Sequence, residues 1–172
     1  MSPFCADISP PLSHRLQLAR TICDACRSGD PPALLTIGNN SINQAVKGIA
    51  VARNDLKAEG IDLAFQPAFR HINRTRPLIA FYLSKQPPGK LKGEEMELTV
   101  SGHSKIIAVA GAISGKIREQ KQVFCTAIGV DAVTTAVLAA GNARLFLEQD
   151  QLDIKVQPEF IKIPKVRMHA SV

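Results

Sequence analysis

The sequence contains no tryptophan, one tyrosine and seven phenylalanines among its 172 residues. A core with so few rings has to be filled by Ala, Val, Ile and Leu, and a hydrophobic content of 45% supplies them. The same scarcity leaves few aromatics on which bases could stack, so sequence-specific reading of single strands by stacking has no support in the composition. No apolar run approaches the roughly 18 residues of a membrane span, so no membrane association is expected. No charged segment followed by an apolar stretch opens the chain, so no signal peptide is read there. With Cys5, Cys23, Cys26 and Cys125 taken as free thiols, a reducing, cytoplasmic location is expected. A Walker sequence is also missing, which removes nucleotide hydrolysis.

Acidic residues are missing locally. None occurs between Asp62 and Glu94, whereas Arg70, Arg74, Arg76, Lys85, Lys90 and Lys92 do. After Glu159 the only charged residues are Lys162, Lys165 and Arg167. The formal net charge of +6 is therefore clustered. Clusters of this kind either solvate a surface or meet a polyanion.

What the chain does have is a repeat. Ile37-Gly38 and Ile128-Gly129 match, and 129 minus 38 gives a shift of 91 residues. The same shift pairs Ala45 with Ala136, Val46 with Val137, Arg53 with Arg144 and Asp62 with Asp153. It continues through Gln66, Pro67 and Phe69, paired with Gln157, Pro158 and Phe160, and upstream through Ala19/Ala110, Ile22/Ile113 and Arg27/Arg118. No insertion interrupts the series. The chain thus reads as two diverged copies, residues 1–84 and 97–172, joined by a Pro-, Gly- and charge-rich linker at 85–96.

Each copy predicts the order β-α-β-α-β-β, an α/β (α+β) fold. In copy two, Glu97–Ser101, Gln122–Ile128, Asp153–Val156 and Lys165–Ser171 read as strands. Pro158 is expected to end the third, since proline cannot donate to a ladder. Helices are predicted over Ile106–Glu119 and Ala132–Leu147, with Ser104 and Asp131 as N-caps. In copy one, strands fall at Cys5–Ser9, Ala33–Ile37, Asp62–Phe65 and Leu78–Ser84. Its helices fall at Leu12–Ser28, which Ser13 would cap, and after the turn Gly38–Ser41. Residues 69–77 form the tip of the last hairpin.

Nothing in the pattern points to catalysis. The histidines are scattered, and Ser13-His14 and His103-Ser104 are adjacent in sequence, which rarely gives the geometry of a nucleophile and its base. Cys23-x-x-Cys26 is one pair, where structural zinc needs four ligands, and Cys26 aligns with the core position Ile117. Both cysteines read as small buried hydrophobes. No catalytic residue, metal or cofactor is expected. Arg70, His71, Arg74 and Arg76 populate a projecting hairpin whose guanidinium groups could straddle a phosphate backbone.

Ile37-Gly-x-x-x-Ile-Asn-Gln-Ala-Val-Lys-Gly-Ile-Ala-Val-Ala-Arg53, with Gly60-Ile-Asp and Pro67-Ala-Phe69, resembles the stage V sporulation protein S family. In copy two, Leu98-Thr-Val-Ser-Gly-His-Ser, Val109-Ala-Gly-Ala-Ile113 and Arg118-Glu119 resemble the first half of the same family. The resemblance implies an Alba-like fold and a regulatory protein that binds DNA or RNA by backbone and shape. The alternative is an adaptor that uses the fold for a protein partner or self-association. The resemblance carries the nucleic-acid contacts to His14 and Arg15 before the first helix of copy one, and to His103 and Lys105 in copy two. His103 stands where the family has lysine. It adds Lys47 and Arg53 on the second helix and Arg70, His71, Arg74 and Arg76 on the hairpin. Arg53 and Arg144 have a second reading, an internal salt bridge or packing at the helix end. Alba-like units dimerise, so the copies are expected to form a pseudo-dimer within one chain. It would be held through Ile42, Val46 and Ile49 on one second helix and Val133, Ala136, Val137 and Ala140 on the other.

Overall fold

The computed structural model describes residues 4–5, 12–70, 77–87, 89, 93–161 and 165–171. The chain divides into two compact units, Met1–Pro88 and Gly89–Val172. Both are mixed α+β.

The first unit runs β1 (Phe4–Cys5), α1 (Leu12–Ser28), β2 (Ala33–Ile37), α2 (Gly38–Lys57), β3 (Asp62–Phe69) and β4 (Leu78–Gln86). β2 pairs parallel with β1 and antiparallel with β4, and β3 pairs antiparallel with β4. The second unit repeats the order as β5 (Glu95–Val100), α3 (Ile106–Arg118), β6 (Gln122–Ala127), α4 (Val130–Glu148), β7 (Lys155–Ile161) and β8 (Lys165–Ser171). Its pairings repeat as well: β5 with β6 parallel, β6 with β8 and β7 with β8 antiparallel.

Alternation along the strands divides each sheet into a helix-covered face and a more open one. In the first unit the covered face carries Leu34, Leu63, Phe65, Ile79, Phe81 and Leu83, all buried. Phe65 and Phe81 meet with ring centroids 4.9 Å apart, and burying each stabilises the unit by about 1.5–3 kcal/mol. The open face exposes Ala33, Ile37 and Tyr82. α1 lies close on α2 because Gly48 has no side chain. A Cβ there would stand 2.7 Å from Leu18 Cδ2.

Gly38 and Gly129 open the second helices with φ of 81° and 89°, a left-handed conformation that residues with a Cβ enter at a cost. The repeat in the sequence is therefore a repeat of backbone conformation.

Four expectations need correction. β7 runs through Pro158 rather than ending there, as β3 runs through Pro67. In an antiparallel pair, alternate N–H groups point away from the partner strand, so a proline at such a position removes no bond. α1 already includes Ser13, so that residue is not a cap. Ser104 caps nothing either, since Lys105 is the N-cap residue and no side chain closes it. Asp131 sits inside the first turn of α4, after the N-cap Gly129.

α4 is long and apolar enough to cross a membrane by length and composition. Most of it is buried, against α3, β5, β6 and β8, as a core helix would be.

Candidate nucleic-acid interface

Two cations of the first unit come together at the α1/α2 contact. Arg15 lies one helical turn before Leu18, and Lys47 immediately precedes Gly48, so both cations belong to the stretch where α1 and α2 approach through Leu18 and Gly48. Burial lowers the Lys47 pKa, and the charge of Arg15 lowers it further. Among the described residues neither has a carboxylate partner. His14 is exposed beside them and Arg15 and Lys47 are half-buried. At a shift of 91, Ile106 and Leu138 take the places of Arg15 and Lys47, so copy two lacks this pair.

Arg70 follows β3 directly and is exposed. Its N–H donates to the Leu78 carbonyl at 3.0 Å, and its guanidinium stands 5.3 Å from the centroid of the Tyr82 ring. Strand alternation required either Phe81 or Tyr82 to face the core. Phe81 is buried and Tyr82 is outside. His71, Arg74 and Arg76 lie outside the described residues.

In copy two, His103 and Lys105 are exposed on the turn into α3. The Ser101 N–H donates to Ser104 Oγ at 3.0 Å and the Ser104 N–H to the Ser101 carbonyl at 3.1 Å, so Ser104 closes the turn. Gly102 packs against Asp131, whose Cβ would lie 2.8 Å from a Cβ at that position. An acidic residue thus flanks this turn, which makes it less attractive to an anion than the Arg15–Lys47 pair.

Arg53 is corrected. It is buried, and its Nε donates to Asp62 Oδ1 at 2.6 Å, so the internal salt bridge is its role. Burial alone would raise the Asp62 pKa. Hydrogen bonds and charge from Arg53, with the Leu63 N–H, override this and hold the carboxyl below its usual value. Arg144 and Asp153 repeat the pair at 2.7 Å. A second pair also recurs. Arg27 Nε donates to Glu59 Oε2 at 2.9 Å, and Arg118 Nε donates to Asp150 Oδ2 at 2.8 Å.

Ile42, Val46, Ile49, Val133, Ala136, Val137 and Ala140 are each 4% exposed or less. Cys23, Cys26 and Cys125 are buried free thiols, and burial pushes the Cys125 pKa up to about 12. Among the described residues no three His, Cys, Asp or Glu side chains group closely enough to hold a metal ion. The convergence of Arg15 with Lys47 was not visible in the sequence. Its one signal was a glycine inside a helix directly after a lysine.

Each unit is therefore a β-α-β-α-β-β module of mixed α+β type. The family model of stage V sporulation protein S matches residues 12–81 and again 96–170. The chain belongs to that family, as two tandem segments. Comparison with curated proteins gives no match.

Proposed function

We propose that the chain is a non-catalytic regulatory protein that binds DNA or RNA through the phosphate backbone, chiefly with copy one. The observation that carries this reading is the Arg15–Lys47 pair. Burial and the charge of Arg15 both disfavour the charged form of Lys47, and an anion bound near the two cations relieves that repulsion. Arg70 adds a further cation to the same unit and His14 an exposed imidazole, and His103 and Lys105 supply a weaker contact from copy two.

Backbone binding releases counterions, so affinity for a labelled oligonucleotide falls linearly with log salt concentration. Changing Arg15 and Lys47 together to Ala lowers that slope by about 1.4–1.8, the loss of two phosphate contacts. No binding to duplex DNA, single-stranded DNA or RNA at low salt would overturn the reading.

One observation favours the adaptor alternative. The outer side of α3 presents Ile107, 60% exposed, with exposed Ala108, Gly111 and Ala112 and no charge among them. A protein partner bound there would resist salt.

A further inference from the structure

Tyr82 stands on the open sheet face of the first unit among small neighbours. Its cross-strand partners are Ala33 and Gln66. Ala80 and Ser84 precede and follow it on the same face of β4. Three of these four are Ala or Ser and end short of a ring, so Tyr82 remains 38% exposed. The Arg70 guanidinium lies 5.3 Å from the ring centroid. Among the described residues Arg70 has no carboxylate partner.

The same sheet position in the second unit is closed. His169 pairs with Phe124 and Gln157 as Tyr82 pairs with Ala33 and Gln66. Phe124, in the place of Ala33, stacks on His169 at 4.4 Å between centroids and 15° between planes. Arg167, in the place of Ala80, lies 3.8 Å from the Phe124 centroid and pairs with Glu97 at 3.1 Å. His169 is left 7% exposed. The second unit has filled this position with its own ring, cation and carboxylate. In the first unit a cation lies over the ring at 5.3 Å, but no second ring stacks there and no carboxylate joins them among the described residues.

We propose that this open face of the first unit binds single-stranded nucleic acid, one base stacking on Tyr82 while Arg70 pairs with the adjoining phosphate. The ring surface that the guanidinium leaves exposed takes any base, and the guanidinium over the ring takes the charge. Charge complementarity favours this polyanion, because residues 63–93 contain no carboxylate. A duplex keeps its bases stacked on one another and cannot offer one to the ring. The proposal rests on the nucleic-acid reading and adds strandedness and the residues that read it.

Tyr82 is the only tyrosine and there is no tryptophan, so tyrosine emission from the full chain reports this position alone. Titration with an oligothymidylate or oligouridylate of about 12 nucleotides, within the range of single-strand site sizes, is expected to quench it. A duplex of the same length is expected to bind more weakly. Anisotropy of the labelled single strand then separates the variants. Tyr82→Ala weakens binding by roughly ten-fold or more, Tyr82→Phe binds as the parent does, and Arg70→Ala lowers the salt slope by about 0.7. Unquenched tyrosine emission at saturation, parental binding by Tyr82→Ala, or equal affinity for duplex overturns the proposal and leaves backbone binding standing. Absence of binding to any nucleic acid at low salt overturns both.

Discussion

Arg53 and Asp62 are joined inside the first unit, Nε to Oδ1 at 2.6 Å, with side chains 9% and 6% exposed. The equivalent pair Arg144–Asp153 is as short, 2.7 Å, but 23% and 49% exposed. One geometry in two environments separates burial from pairing. Arg53→Ala strands a buried carboxylate and is expected to cost the first unit about 3–5 kcal/mol. Arg144→Ala is expected to cost about 1 kcal/mol or less, because solvent screens the remaining partner. Urea midpoints of the two variants, with Tyr82 emission following the first unit, check the difference.

The same pair gives a pH dependence. Asp62 is held below its ordinary value of 3.8 in the folded chain. A depressed carboxyl contributes stability that is complete above the unfolded value and is lost as pH falls through the folded one. Urea midpoints followed from about pH 5 to about pH 2 are expected to fall, and Asp62→Asn should flatten this acid limb while lowering stability at neutral pH.

Much of this could be read in the sequence, for identifiable reasons. α1 at Leu12–Ser28, β2 at Ala33–Ile37 and β8 at Lys165–Ser171 lie where periodicity placed them. The ungapped shift of 91 carried the weaker first copy on the stronger second. What escaped depends on contacts between elements. Arg53 could not be assigned without knowing that Asp62 faces it. Ser104 could not be told from a cap without the turn it closes. Alternation alone leaves open which of the adjacent rings Phe81 and Tyr82 faces out. Pro158 did not end its strand because a proline's effect depends on which neighbour its missing N–H would have faced.

The thiols provide a test of packing. Cys23, Cys26 and Cys125 are buried, and burial raises the pKa of each. Thiolate is the reactive form. In the native chain at mildly alkaline pH, peptide mapping after treatment with a thiol-specific reagent should find these three unmodified. In denaturant all three should react.

Ala140 tests the second helix of copy two. It is 4% exposed on α4, so Ala140→Glu both overfills the core and buries a charge. A loss of at least about 3 kcal/mol in the second unit is expected. The expectation that the second helices hold the copies together adds a readout. The hydrodynamic radius should grow while Tyr82 emission still reports a folded first unit. An unchanged melting temperature and radius would remove Ala140 from any packing role.

The doubled ion pairs also put the history of the chain in order. Arg27–Glu59 and Arg53–Asp62 each have a counterpart 91 residues later, with the same arginine and a carboxylate at the same place. Inheritance from one ancestral unit needs fewer changes than two separate origins. The pairs are therefore older than the duplication, and the differing open faces of the two sheets are younger. Once a second copy existed, one could seal its surface while the other kept its own bare. Changing Phe124 and Arg167 to Ala in copy two would give its sheet the residues that copy one has at the equivalent positions, Ala33 and Ala80.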